Sequence, residues 1–184
     1  MLRSLVGSEM CIRDSSYVGR YYDSIADIIL NFCFLLAFWH ISQISIVYML
    51  IAFFSIQLQG TVYNYYYVIL RNSVDGDSTS RIFEDAPPKA LKGESQKMVN
   101  ISYKIYNILY ITFDKIMYYT DKNACDSPPF PKWFMTLVSI YGLGFQLLIM
   151  STMLVFNLQN YLIPFFIIYL IPAVIFIVLR KLFL

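Results

Sequence analysis

The sequence predicts an all-α protein: a polytopic transmembrane helical bundle of about four spans, with one further amphipathic helix at the membrane interface. Hydrophobic residues make up 58% of the 184-residue chain and charged residues 14%, whereas roughly a quarter of an average soluble domain is charged. No Asp, Glu, Lys or Arg occurs from Ile28 to Leu70 or from Trp133 to Leu179. Because one crossing needs about 20 apolar residues, each stretch is long enough for two spans.

The same composition excludes several classes of protein. A soluble globular enzyme, a secreted disulfide scaffold and a nucleic-acid-binding module do not carry charge-free stretches of this length. A spanning β-barrel is disfavoured because its strands alternate polar and apolar residues. The net charge is only +2, so no strongly charged partner such as nucleic acid is implied. The three cysteines, Cys11, Cys33 and Cys125, have no spacing that predicts a disulfide framework or a metal site.

The first fifteen residues differ in composition from everything that follows. Leu5 to Ser15, LVGSEMCIRDS, resembles the translation of a transposon adaptor used in sequencing libraries, and it lacks the apolar core of a signal peptide. We therefore expect residues 1–15 to be a non-native segment and residues 16–184 to be the membrane domain. On this interpretation the natural protein continues upstream. A genuine N-terminal segment is the alternative.

The two charge-free stretches predict two helical hairpins, each turned by an uncharged segment. The predicted helices are Tyr17–His40, Ile44–Leu70, Trp133–Phe156 and Tyr161–Phe183, with turns at 42–43 and 157–160. Tyrosines close the second helix, as is common at the membrane–water interface. We expect Pro164 and Pro172 to kink the last helix.

The segment between the hairpins is of a different kind. Charged residues, glycines and prolines predict a cytoplasmic solvent loop over residues 72–97. Asn100, Lys104, Asn107 and Asp114 recur at spacings that place them on one helix face. Residues 98–120 therefore predict an amphipathic helix lying in the interface. Residues 121–132, with three prolines, predict an extended link.

The positive charges predict the orientation. If residues 98–120 do not cross, nine cationic residues fall on one side and both hairpin turns on the other side are uncharged. The nine are Arg20, Arg71, Arg81, Lys89, Lys92, Lys122, Lys132, Arg180 and Lys181. Because positive charge concentrates on the cytoplasmic side of membrane proteins, we expect an integral membrane protein with these nine residues on the cytoplasmic side.

The unusual feature of the apolar sequence is a stripe at the start of the first helix. Gly19, Asp23 and Asp27 are four residues apart and therefore lie on one face, on successive turns. Two carboxylates so close repel each other, and at the edge of hydrocarbon their ionised forms are costly. A divalent cation, a cationic partner or proton uptake would offset that cost, and oxygen ligands favour Mg²⁺ or Mn²⁺. The alternative is that both acids simply benefit from the helix dipole.

The segment GRYYDSIAD, residues 19–27, resembles the second half of the motif of the CDP-alcohol phosphatidyltransferases, D-x2-D-G-x2-A-R-x8-G-x3-D-x3-D. Gly19, Asp23 and Asp27 match its last three fixed positions. The earlier fixed positions would fall at Leu2, Leu5, Val6, Glu9 and Met10, and none of them matches. All five lie in the adaptor-like segment.

The resemblance implies an integral membrane phosphotransferase of phospholipid biosynthesis that uses Mg²⁺ or Mn²⁺. Such an enzyme moves a phosphatidyl or phospho-headgroup unit from a CDP-linked donor to an acceptor alcohol, with release of CMP, and one of the two substrates is a lipid. Carried over, Asp23 would be a metal ligand, Asp27 the general base and Gly19 a position that leaves room for substrate. The resemblance also implies a homodimer. The chain as given would be inactive, because half of the motif is missing.

Two other functions fit parts of the sequence. Two helical hairpins separated by a cytoplasmic loop and an amphipathic helix also resemble a reticulon-like protein that shapes membranes without catalysis. In a fragment of a small transporter, the carboxylates would bind a coupling proton or cation. The acidic stripe discriminates among the three, because a membrane-shaping protein does not need paired carboxylates.

Overall fold

The computed structural model describes residues 16–73, 84, 86–127 and 130–183. Within this part, 84% of the residues are helical and none lies in a strand, which confirms the all-α class. Residues 1–15, whose origin the sequence interprets, lie outside the described residues, as do residues 74–83 and 85 of the predicted 72–97 loop.

The described part contains seven α-helices and two 3-10 segments. The 3-10 segments are Lys122–Asp126 and Ser139–Tyr141. The α-helices are α1 (Tyr17–Ser42), α2 (Ile46–Ser73), α3 (Gln96–Thr120), α4 (Lys132–Val138), α5 (Leu143–Val155), α6 (Gln159–Ile168) and α7 (Leu170–Phe183).

Helix α1 begins and ends with well-defined caps. Ser16 is the N-cap, and its hydroxyl accepts a hydrogen bond from the backbone N–H of Gly19 at 3.1 Å. Glu94 adds a second cap by accepting from the N–H of Val18 at 2.9 Å. At the other end, Gln43 takes the left-handed conformation, with φ 55°, which stops the helix and turns the chain into α2.

The bundle core lies where α1 and α2 meet the second hairpin. Leu35 and Phe38 of α1 pack with residues of α2, α5 and α6 that are almost fully buried, namely Met49, Ala52, Ile56, Met150, Leu162, Ile163 and Phe166. A second core joins the C-terminal half of α2 to the end of α3, to α4 and to α7. These contacts place the N-terminal end of α1 and the C-terminal end of α2 beside α3, where the candidate site lies.

Two glutamines are buried inside this apolar core. The Gln59 amide donates to the Phe166 carbonyl at 3.0 Å, and the Gln146 amide donates to the Ile56 carbonyl at 3.2 Å. Interhelical bonds of this kind hold membrane helices together, because an unsatisfied amide in hydrocarbon is costly. They connect α2 to both helices of the second hairpin.

The prediction of one helix over Trp133–Phe156 is wrong. The chain instead forms α4, a 3-10 turn and α5, and the two halves are bent by 51°. The bend centres on Gly142, where an added Cβ would meet the Ser139 carbonyl oxygen at 3.1 Å and the Tyr63 ring at 3.3 Å. The tight approach of α2 therefore favours a residue without a side chain at this position.

The last predicted helix is divided at Tyr169 into α6 and α7, between Pro164 and Pro172. Pro172 has no N–H to donate to the carbonyl four residues earlier, which weakens the helix at this point. Three helical segments are long and apolar enough to cross a membrane: Tyr17–Ser42, Ile46–Asn72 and Gln159–Leu182. The third consists of α6 and α7 taken together. The number becomes four if the bent α4–α5 pair forms one span.

Helix α3 does not qualify as a span by length and composition among the described residues. Both of its ends lie toward the same end of the α1–α2 hairpin. Val99 packs with Tyr17 and Tyr21 of α1, while Asp121, just after α3, accepts a hydrogen bond from Tyr66 of α2. The link that follows is not extended throughout as predicted, because residues 122–126 form a 3-10 turn.

Candidate functional site

The predicted acidic stripe lies in the first half of α1. Gly19, Asp23 and Asp27 are all part of this continuous helix and all three are half-buried. The face of α1 that packs into the bundle carries its buried residues, which are Tyr17, Tyr21, Ile28, Asn31, Leu35 and Phe38. The two aspartates lie at the margin of this face. The Gly19 N–H is already bonded to the Ser16 hydroxyl, so this donor is occupied within the helix cap.

Helix α3 places an aromatic and acidic cluster against this part of α1. The Tyr110 hydroxyl donates to the backbone carbonyl of Ser24 at 2.8 Å, one residue after Asp23. Burial, and then the negative charges of Asp27 and Asp114, raise the pKa of Tyr110 well above its usual value. The Tyr110 hydroxyl therefore remains protonated, and carboxylates from two different helices act on it.

Asp114 is the second carboxylate in this cluster. Its Oδ2 accepts a hydrogen bond from the Tyr106 hydroxyl at 3.0 Å, and the rings of Tyr106 and Tyr110 are stacked with centroids 5.1 Å apart. Burial raises the pKa of Asp114 to about 6, although the Tyr106 bond and Arg20 act in the opposite direction. Asp114 can thus gain or lose a proton near neutral pH.

Two glutamates from the segment before α3 form hydrogen bonds with the N-terminal end of α1. The Glu84 carboxylate contacts the Arg20 guanidinium and the Tyr21 hydroxyl, and its backbone carbonyl accepts from the Tyr103 hydroxyl at 2.9 Å. The Glu94 carboxylate accepts from Ser16 and Val18. Although burial opposes it, these hydrogen bonds lower the pKa of Glu94 and keep the carboxylate ionised at the positive end of the α1 dipole.

A second polar centre lies at the far end of α3. The Arg180 Nε of α7 donates to Asp121 Oδ2 at 2.7 Å, and the two side chains form an ion pair that is almost fully buried. Tyr66 donates to the same carboxylate oxygen at 2.7 Å, and Tyr65 donates to the Asp121 carbonyl at 2.8 Å. This centre ties α3, α2 and α7 together.

The acidic side chains of the site limit how a metal ion could bind. No group of three or more His, Cys, Asp or Glu side chains is arranged there to hold a metal ion, so Asp23, Asp27 and Asp114 do not form one three-carboxylate cluster. Mg²⁺ is commonly bound through one or two carboxylates, with water and substrate phosphates as the remaining ligands. The chemistry of Asp23 and Asp27 fits that mode, with Asp23 farther from the packed face.

No family model matches the chain, and no curated protein or solved structure matches it. The likeness to the CDP-alcohol phosphatidyltransferases therefore depends on residues 19–27 and on the helical layout alone.

The sequence interpretation missed several residues of both centres. Asp114 entered it only as part of the polar face of α3, and Arg20 and Arg180 only as charges that set orientation. The tyrosines at 103, 106 and 110, spaced three and four apart, were an available signal for a helix face that packs against another polar element. The pairing of Asp121 with Arg180 has no such signal, because 59 residues separate the two in the chain.

Proposed function

We propose that this chain is the membrane domain of a CDP-alcohol phosphotransferase. The enzyme would transfer a phosphatidyl or phospho-headgroup unit from a CDP-linked donor to an acceptor alcohol and release CMP. The observation that carries the proposal is the pair Asp23 and Asp27, half-buried on successive turns at the start of an apolar helix, with the matching glycine one turn earlier. The cluster around Tyr110 supports it, because α3 brings a further acid, Asp114, that acts on the same tyrosine as Asp27.

Asp27 and Asp23 have different roles in the proposed reaction. Asp27 accepts the proton of the acceptor hydroxyl. The hydroxyl oxygen forms a bond to the phosphorus of the donor, while the bond from that phosphorus to the CMP oxygen breaks and CMP leaves with the electron pair. Asp23 would hold Mg²⁺ or Mn²⁺, which when bound neutralises negative charge on the diphosphate.

Tyr110 has a positioning role in this proposal. Its hydroxyl is bonded to the Ser24 carbonyl, so its ring is held across α1 at the level of the two aspartates. There the protonated hydroxyl lies near Asp27 and Asp114. In the proposed enzyme, the Tyr110 hydroxyl would help to hold the Asp27 carboxylate in position.

The location of the site suits the substrates. One substrate is a lipid and the other carries a water-soluble group, so the reacting atoms must meet at the membrane–water boundary. Asp23 and Asp27 lie close to the N-terminal end of a helix that is apolar from Ile28 onward. We place this end on the cytoplasmic side, from the distribution of positive charge, and we propose a homodimer as the assembly.

The first test is the genomic sequence upstream of Tyr17. It should supply D-x2-D-G-x2-A-R, with eight residues between the arginine and Gly19, in place of the adaptor-like segment. The second test is CMP release by the complete protein, which should require Mg²⁺ or Mn²⁺ and a CDP-linked substrate. An upstream sequence without the first half of the motif, or a complete protein inactive toward every CDP-linked lipid and headgroup donor, would overturn the proposal.

The membrane-shaping function remains a second candidate because one observation favours it. The outer side of α3 is strongly apolar, with Ile108 79% exposed, which suits insertion of a wedge into one leaflet. Charge-neutral variants discriminate between the two. The double variant Asp23→Asn/Asp27→Asn should still tubulate or curve vesicles if shaping is the function, whereas transferase activity should disappear.

A further inference from the structure

Helix α3 divides into three sides around its axis, and only one of them is packed inside the protein. Val99, Tyr103, Phe113 and Met117 form the packed side and are almost fully buried against α1 and α2. The residues that face away belong to two chemically different sides. Together they run the whole length of the helix.

The first outer side is apolar, and we call it the isoleucine face. All of its large members are exposed, and Ile108 and Tyr119 reach 79% and 77%. Its residues are Met98, Ile101, Ile105, Ile108, Ile116 and Tyr119. An apolar face of this length on a helix that is not a membrane span needs an apolar environment to cover it.

The second outer side carries Lys97, Lys104 and Lys115, which we call the lysine edge. The lysines are seven and eleven residues apart, close to two and three full helical turns, so they form one row beside the isoleucine face. All three are exposed, as is Lys122 just beyond the helix. Asp114 is the one acidic residue within α3, and it is bonded to Tyr106.

This arrangement defines how α3 can meet a bilayer. Lys104 and Lys115 lie well inside the helix, so a crossing would bury ammonium groups in hydrocarbon. Both ends of α3 are also tied toward the same end of the α1–α2 hairpin, through the contacts of Val99 and Asp121. A helix lying in the plane of the interface satisfies both sides, because the isoleucines enter the acyl region and the lysines reach the headgroups.

We propose that α3 is a lipid-recognition helix whose lysine edge binds the headgroups of anionic phospholipids in the leaflet that its isoleucine face enters. Charge complementarity selects this occupant, since the cytoplasmic leaflet is anionic and attracts rows of lysines at its surface. A second copy of the chain docked through the same helix would offer only one carboxylate of α3 to the lysines, Asp114, which is half-buried and already bonded to Tyr106. The proposal stands independently of any catalytic function.

The test uses the whole chain in nanodiscs. Cys11, Cys33 and Cys125 are first replaced by Ser, and Ile108→Cys then provides a single thiol, which is labelled with a polarity-sensitive fluorophore. Discs of phosphatidylcholine alone are compared with discs that also contain phosphatidylserine. We expect the probe emission to shift to the blue as phosphatidylserine is added. High salt should reverse the shift, because it screens the lysine–headgroup attraction.

Substitution of the lysine edge supplies the decisive comparison. Lys97→Gln/Lys104→Gln/Lys115→Gln should abolish the dependence on phosphatidylserine, whereas replacement of the same three lysines by Arg should retain it. A matched control is Lys89→Gln/Lys92→Gln/Lys132→Gln, which removes the same charge from exposed lysines outside α3 and should leave the response intact.

Three outcomes would overturn the proposal. One is a blue shift that is equally large without phosphatidylserine and unchanged by the Gln variant. Another is a shift that depends on the number of protein copies per disc, since this would identify a second copy as the partner. The third is loss of the response in the Arg variant as well, because recognition by charge predicts that Arg substitutes for Lys.

Discussion

Arg180, near the end of the last helix, forms a buried ion pair with Asp121, the residue that follows α3. Each partner is almost completely inaccessible to solvent. The Tyr66 hydroxyl also donates a hydrogen bond to the Asp121 carboxylate. The pair lies where α3, α2 and α7 meet, so it holds α3 against the bundle. Because the pair is buried, removal of only one of the two charges leaves the other buried without a partner, which is costly.

We predict that Arg180→Met destabilises the protein by about 3–5 kcal/mol, because it leaves the Asp121 carboxylate buried without its cation. Thermal unfolding in detergent, followed by tryptophan fluorescence, measures the loss. The double variant Asp121→Leu/Arg180→Met should recover much of it, since no buried charge remains. Equal stability of Arg180→Met and the unsubstituted protein would argue against the ion pair.

We predict that Asp114 gives the protein a pH-dependent stability. Its pKa of about 6 in the folded state lies above the value of about 3.9 expected in the unfolded chain. The folded protein therefore holds a proton that the unfolded chain has lost between these values, and stability falls as the pH rises from about 4 to 6. Above about pH 7, where Asp114 is ionised in both states, the difference is constant and amounts to at most about 3 kcal/mol.

Asp114→Asn is the variant that reveals this effect. It should be more stable than the unsubstituted protein at pH 7.5, because no ionised group is left in the half-buried site, while the amide oxygen can still accept from Tyr106. The difference between the two proteins should shrink as the pH falls toward 4. A constant difference across this range would show that Asp114 does not titrate with a raised pKa.

For the proposed reaction, we predict that Asp27→Asn in the complete protein lowers CMP release by about 10²–10⁴-fold, the usual contribution of a general base. Binding of the CDP-linked donor should persist, because the base acts on the acceptor alcohol. Asp75→Asn, which changes an acid of the predicted loop, serves as the matched control and should remain active. An active Asp27→Asn enzyme would remove the assignment of the base.

The role of Tyr110 can be separated from that of Asp27. Tyr110→Phe removes the hydrogen bond to the Ser24 carbonyl, and we expect this to cost about 1 kcal/mol of stability. If the hydroxyl positions Asp27, turnover should fall by less than in Asp27→Asn, and the acidic limb of the pH–rate profile should move. A stability loss with an unchanged pH–rate profile would assign Tyr110 to packing alone.

Much of the fold was predictable because its signals are local. The charge-free stretches predicted the two long helices of the first hairpin, and the polar face of residues 98–120 predicted the helix that forms at Gln96–Thr120. They also identified the second hairpin as apolar, but not the breaks within its helices. The alignment of Asp23 with Asp27 follows from helix geometry alone. The bend at Gly142 was not predictable, since it depends on how closely Tyr63 of another helix approaches.

The sequence by itself determined which segments are apolar helices and which acids share a face, since both properties depend on residues a few positions apart. Only the tertiary structure decided that Asp114 and Tyr110 lie beside the acidic stripe and that Asp121 receives Arg180. Those neighbours are brought together by packing between helices that are distant in the chain. Such contacts depend on the balance of burial, hydrogen bonding and charge over the whole bundle, and no local pattern encodes that balance.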